Sequence, residues 1–120
     1  MTIVLVVEDN KMNMELELEI IEAIGYSVHG AEDGNKAVEM AQKETYDLII
    51  MDIELPDMNG IEAARMIRDR PEYKNTPMIA VTAFAMKGDR ERFLASGFND
   101  YVEKPIDVQV FMKILGKYKK

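Results

Sequence analysis

Short apolar runs alternating with segments of helical spacing constrain this chain more than any other feature. Ile3 to Val7 (IVLVV) is almost wholly β-branched, the pattern of a strand buried on both faces. Asn10 then offers an N-cap, and Met14, Leu18 and Ile21, together with Met12, follow at helical spacing up to Gly25. Leu16, Ile20 and Ile24 widen that stripe, and Gly25 ends the helix. Tyr26 to Gly30 predicts a second strand, at an edge because Ser27 and His29 interrupt it. Beyond the Asp33-Gly34 turn, Ala37, Val38, Met40 and Ala41 support a second helix. Leu48 to Met51 is a third strand stopped by Asp52, and Leu55 to Gly60 is a loop by its turn chemistry. The next helix carries Ile61, Ala64 and Ile67 on one face, and Met78 to Val81 is the fourth strand. A fourth helix from about Lys87 to Ser96 directs Phe93 and Leu94 inward, and Gly97 closes it. Asn99 to Val102 is the fifth strand. The last helix starts near Asp107 and shows Val108, Phe111, Met112 and Leu115 in one stripe.

Five strands alternating with five helices, with connections too long for hairpins, imply a parallel sheet covered on both faces. Right-handed crossovers restrict the winding. A strongly apolar first strand belongs near the centre and the weaker second at an edge. The fold class is therefore α/β, a doubly wound five-stranded parallel sheet in the order 2-1-3-4-5, and residues 1–120 form a single domain.

Composition removes several functions. The 120 residues contain no cysteine, which excludes disulfides, thiolate metal sites and cysteine nucleophiles. One histidine, His29, cannot build a histidine-rich metal site or a serine triad; it reads as a surface or edge-strand residue. A net charge of −7 argues against a basic nucleic-acid surface, and Lys117, Lys119 and Lys120 complement a helix C-terminus. No apolar run approaches the length of a membrane helix, and no signal peptide is evident, so a soluble cytoplasmic domain is expected. The ten methionines are assigned mainly to helical core stripes, with Met12 and Met86 as candidate exposed contacts.

In doubly wound sheets, sites form outside the carboxyl ends of the strands. Glu8 and Asp9 follow the first strand, Asp52 the third, Thr82 the fourth and Lys104 the fifth. Taken singly, Asp52 could equally end a strand and cap a loop, and Thr82 could be packing. Four strand ends agreeing is a stronger signal. Three carboxylates brought together need protons or a cation, and an all-oxygen set suits Mg²⁺. Such a centre fits phosphoryl transfer, with Asp52 as nucleophile, Glu8-Asp9 as the metal end, and Lys104 and Thr82 on phosphoryl oxygens.

At these residues the sequence resembles the receiver domain of two-component response regulators, which has a flavodoxin-like fold. The matching pieces are VVEDN (6–10), IIMDIELPDMNG (49–60), AVTAFA (80–85) and YVEKPI (101–106). The stretch VTAFAMKGD (81–89) further resembles stand-alone, DivK-type regulators and the receivers of hybrid kinases. The resemblance implies that Asp52 accepts a phosphoryl group from a phosphohistidine of a sensor histidine kinase or histidine phosphotransfer protein. It implies a Mg²⁺ held by Asp9, Asp52 and the backbone carbonyl of Glu54, with Glu8 acting through water. Thr82 and Lys104 hold phosphoryl oxygens, Tyr101 is an aromatic switch, and Lys104-Pro105 is a cis peptide. Glu54 and Phe84 occupy variable positions that tune the phosphoryl lifetime. The output implied by the resemblance is a remodelled face of helix 4, strand 5 and helix 5 that binds a downstream protein or passes the phosphoryl group on, and a monomer or weak dimer without nucleic acid or membrane is expected.

Other functions compete. A phosphatase with an aspartyl nucleophile wants a second aspartate where Glu54 stands, and a cap domain. A flavodoxin-like cofactor binder wants a hydroxyl- or glycine-rich first loop, where this chain offers EDNKMN. A scaffold that has lost phosphorylation, or a receiver cut from a hybrid kinase, completes the set.

Overall fold

In the computed structural model, which describes residues 2–84 and 88–118, β1 (Ile3–Val7) lies inside a five-stranded sheet ordered β2-β1-β3-β4-β5. The other strands are β2 (Ser27–Ala31), β3 (Leu48–Asp52), β4 (Met78–Thr82) and β5 (Asp100–Glu103), and all four pairings are parallel. The helices are α1 (Lys11–Ala23), α2 (Gly34–Lys43), α3 (Gly60–Arg68), α4 (Asp89–Ala95) and α5 (Val108–Lys117).

Strand periodicity sorts the core into two layers. Leu5, Val7, Ile49, Met51, Met78 and Ala80 face Ala37, Ala41, Ala63, Ala64, Ile67 and Phe93 of α2, α3 and α4. Their neighbours Val4, Val6, Leu48, Ile50, Ile79 and Val81 face Ile20, Ile21, Phe111 and Leu115 of α1 and α5. The three middle strands are therefore apolar on both faces, as covered parallel strands must be.

The caps follow from short polar side chains. Asn10 accepts from the Asn13 N–H, Asp33 from Lys36 and Asp107 from Val110, each satisfying an orphan donor of a first turn. Gly25 takes φ +97 and lets the chain leave α1. Buried Tyr73, in a 3-10 turn (Pro71–Tyr73), accepts from the Tyr46 N–H and faces the Ala41 and Glu44 carbonyls at 2.9 and 2.7 Å. Arg68 spans α3 to Gly97, donating to the carbonyls of Tyr73, Thr76 and Gly97 at 2.7, 2.6 and 2.7 Å.

Several local expectations are corrected. Tyr26 precedes β2, because its N–H still bonds the Ile21 carbonyl at the end of α1. Asn99 precedes β5 and pairs with Met78 through both backbone and side chain. Leu94 is 46% exposed, since a helical step of about 100° beyond inward Phe93 turns it outward. In α5 only Phe111 and Leu115 of the expected stripe are buried; Val108 and Met112 are exposed. Met51 and Met78, both on strands, are buried, and Met14 of α1, Met40 of α2 and Met58 pack half-buried against the core, while Met12, Met66 and Met112 are exposed; core filling thus accounts for most of the described methionines, from strands and a loop as well as from helices. Ala85, Met86, Lys87, Lys119 and Lys120 lie outside the described residues.

Gly60 fixes the loop after β3. A Cβ there would run into the Asp52 carbonyl and lie 2.8 Å from Ile53 Cα, whereas a Cβ on Gly116 in α5 meets nothing within 4 Å. Gly60→Ala is expected to cost at least about 1–3 kcal/mol, and Gly116→Ala to gain up to about 1 kcal/mol. Urea unfolding of the two variants beside wild type checks both signs.

Candidate functional site

The order of strands reverses between β1 and β3, so a crevice opens where their carboxyl ends part. The chain leaves β1 through Glu8 and Asp9 and leaves β3 through Asp52. Carboxylate oxygens of Glu8, Asp9 and Asp52 lie within 4.8 Å of one another. Glu8 and Asp52 are each 1% exposed, and Asp9 is open to solvent.

Lys104 reaches over from the end of β5. Its Nζ donates to Asp52 Oδ2 at 2.9 Å and to Glu8 Oε2 at 3.3 Å, and stands 3.1 Å from Glu8 Oε1. The Lys104-Pro105 peptide is cis, and the Lys104 N–H bonds the Thr82 carbonyl at 2.8 Å. The backbone that carries the lysine is thus tied to the end of β4. Asp52 Oδ1 accepts the Glu54 N–H at 3.0 Å, and Glu8 Oε2 accepts the Asn10 N–H at 3.1 Å.

Electrostatics favour a cation here. Burial pushes the Asp52 carboxyl up to about 7; the Lys104 hydrogen bond pulls it down, and the hydrogen bond and charge of Glu8 push it up again. Burial alone would lower the Lys104 ammonium, but its bonds to Asp52 and Glu8 hold it above the ordinary value. One ammonium does not neutralise three carboxylates. A hard divalent cation would supply the missing charge, and the oxygen-only donor set fits Mg²⁺.

Thr82, 1% exposed, ends β4 and donates through Oγ1 to Glu54 Oε2 at 2.8 Å. The Ala83 N–H donates to the other oxygen of the same carboxylate, also at 2.8 Å. Tyr101, on β5, is half-buried against Phe93 with ring centroids 5.8 Å apart. Phe84 is exposed, and its N–H bonds Thr82 Oγ1 at 3.1 Å. Glu8, Asp9, Asp52, Glu54, Thr82 and Lys104 therefore gather at one edge of the sheet, while Tyr101 lies further back on β5, opposite Ala80 and against α4. His29 lies on β2 away from that edge, bonded to the Tyr46 hydroxyl at 2.9 Å.

Glu17 of α1 was not among the predicted residues. It is 1% exposed beneath the crevice, and its carboxyl is raised to about 9 by burial first, then by the charge of Glu8 and a hydrogen bond to it. Glu8 Oε1 and Glu17 Oε2 are buried without a hydrogen-bond partner, although Lys104 Nζ stands 3.1 Å from Glu8 Oε1, and a proton kept on Glu17 lets it donate to Glu8. The sequence did carry a signal. Met14, Glu17, Leu18 and Ile21 stand at i, i+3, i+4 and i+7, so a charge occupies an inner position of the α1 stripe.

A doubly wound sheet with an acidic triad, a lysine and a hydroxyl at its carboxyl edge defines a class of phosphorelay signalling module, and residues 4–116 match the family model of the response regulator receiver domain. The chain belongs to that family. It is 44% identical over 115 residues to the polar-differentiation response regulator DivK of Brucella anthropi, covering 96% of this chain and 94% of that protein. The receiver domain of the sensor histidine kinase PA1611 of Pseudomonas aeruginosa, which has a magnesium ion coordinated in its active site cleft, is 38% identical with a TM-score of 0.87. That likeness covers 98% of this chain and 96% of that one. The chemotaxis protein CheY4 of Vibrio cholerae is 29% identical with a TM-score of 0.92, covering 99% of each chain. Among the described residues, no helix is long and apolar enough to cross a membrane.

The state of Glu17 has a measurable consequence. An acid whose pKa is near 9 when folded and 4.5 when unfolded keeps a proton that the unfolded chain has lost. Stability contributed by this group is therefore lost progressively as pH rises between those values. In magnesium-free buffer, Glu17→Gln is expected to exceed wild type by on the order of 1–3 kcal/mol near pH 8. The gap should close toward about pH 5, and urea unfolding across that range reads it.

Proposed function

We propose that this chain is a phosphorylatable receiver whose Asp52 takes a phosphoryl group from a phosphohistidine. An Asp52 carboxylate oxygen attacks phosphorus, the P–N bond breaks, and its electron pair stays on the leaving imidazole nitrogen. Asp9, Asp52 and the Glu54 backbone carbonyl would hold Mg²⁺, with Glu8 acting through water. The ion, when bound, neutralises charge on the transferring phosphoryl oxygens. Lys104 screens the accepting carboxylate and afterwards holds a phosphoryl oxygen, and the Thr82 hydroxyl holds another.

The observation that carries this reading is the Lys104–Asp52–Glu8 cluster, a buried nucleophile joined to an ammonium beside an acidic cation site. Partners follow from it: a sensor histidine kinase or histidine phosphotransfer protein as donor, and a downstream protein or relay partner as acceptor of the signal. Exposed Leu94, Val108, Val110 and Met112 on α4 and α5 supply apolar contact for such a target. Tyr101, packed on Phe93 between those helices, is assigned the switch between the two forms of that face.

Intact-mass spectrometry after incubation with acetyl phosphate tests the reaction. The expected result is one phosphoryl adduct, dependent on Mg²⁺ and absent from Asp52→Asn. An adduct that persists in Asp52→Asn would place the nucleophile elsewhere. Because a proton on Asp52 competes with the metal, Mg²⁺ binding followed by calorimetry should weaken as pH falls through about 7, by up to about tenfold per pH unit. An affinity flat across that range would contradict the proton–metal exchange.

A further inference from the structure

Glu54 receives two hydrogen bonds that have no part in holding the sheet together. Its carboxylate takes the Thr82 hydroxyl on Oε2 and the Ala83 N–H on Oε1, both at 2.8 Å. These two donors sit side by side at the end of β4, and they are already satisfied by an anion. A hydroxyl has a single hydrogen, so while Thr82 donates to Glu54 it donates to nothing else. Thr82 Oγ1 is in turn fixed by the Phe84 N–H, which leaves the hydroxyl hydrogen the free end of that short chain.

The Glu54 side chain is set in place by its own backbone. Its N–H is bonded to Asp52 Oδ1, and its backbone pairs with Asn59 across the loop. The preceding residue, Ile53, is tied to the Val81 carbonyl at 2.9 Å and to the Gly60 N–H at 2.8 Å. The carboxylate is therefore delivered to the end of β4 from a loop held on both sides.

We propose that the Glu54 carboxylate is a built-in competitor of the phosphoryl group: it occupies the Thr82 and Ala83 donors in the resting protein and has to release them before they can grip phosphate on Asp52. This rests on Asp52 being the phosphoacceptor. Glu54 is a positioning residue, acting through Thr82 and the Ala83 amide and taking no part in bond making. Two effects oppose phosphorylation in the resting form. The donors are already engaged, and the carboxylate adds negative charge beside the arriving phosphoryl oxygens. Once the phosphoryl group holds the donors, Glu54 is displaced, so its strength sets how readily the switch is thrown.

Charge and latch separate experimentally. Glu54→Asp keeps the charge on a side chain one methylene shorter, out of reach of both donors at once, while Glu54→Ala removes charge and latch together. The first readout is hydrogen exchange of the Ala83 amide in magnesium-free, unphosphorylated protein. Exchange on the order of tenfold faster in both variants than in wild type is expected for loss of a charge-assisted bond. Equal exchange in all three would overturn the latch, whatever happens at Asp52.

The second readout is the initial rate of Mg²⁺-dependent labelling by acetyl phosphate, followed by intact mass. Labelling should accelerate in Glu54→Asp as well as in Glu54→Ala. Acceleration confined to Glu54→Ala would reduce the effect to charge and overturn the competition. If wild type and both variants remain unlabelled, the phosphoacceptor reading fails, and the competition with phosphate fails with it. Thermal unfolding by circular dichroism confirms that each variant is folded before either rate is compared.

Discussion

Two carboxylates almost wholly withdrawn from water meet a half-buried ammonium where β1, β3 and β5 end. Burying such charges costs several kcal/mol per ion unless partners are placed for each, and here the partners come from strands far apart in sequence. Lys104 must arrive within 2.9 Å of Asp52 while its own backbone is tied to Thr82. The apolar strands and the two helical layers are what make that placement repeatable. Burial disfavours charge on each acid, and one ammonium facing several acids does not offset it. Asp52 is drawn toward its protonated form, Glu17 below it is held neutral, and the crevice is left receptive to a divalent cation.

The architecture could be read from the chain because its three middle strands are apolar on both faces and the one beside β1 is not. That asymmetry puts β1 inside and β2 outside, and the strand order follows. The site could be read for the same reason: an apolar strand that suddenly ends in Glu8, Asp52, Thr82 or Lys104 announces its functional edge. The cis peptide before Pro105 came from the resemblance to receivers, since nothing in periodicity or spacing distinguishes it.

What escaped the sequence were properties set by contacts between elements. The breadth of a helix's buried face depends on its neighbours, so α5 carries more apolar residues than its contact surface covers, and Val108 and Met112 remain outside. Methionine suits exposed and buried positions alike, which is why Met12 and Met51 look similar in the chain and end in opposite places. Glu17 was passed over because a charged residue in a helix ordinarily marks the solvated face. Its place among Met14, Leu18 and Ile21 is the one mark in the chain that this residue is folded inward, where it is 1% exposed. The bond from Thr82 to Glu54 joins two strand ends 28 residues apart and has no local signature.

The two open margins of the sheet differ from its interior. β2 presents exposed His29 and Gly30, with Gly30 lying against the Met14 side chain, and β5 is four residues long with Asp100 and Glu103 on it. Unpaired strand edges invite a further strand from another molecule, and short length and charge discourage it. Growth is thereby discouraged at the β5 margin, whereas β2 is as long as the interior strands and carries no carboxylate or lysine. On the β5 side, the neighbouring helices can be offered to a partner without that strand edge becoming a template for self-assembly.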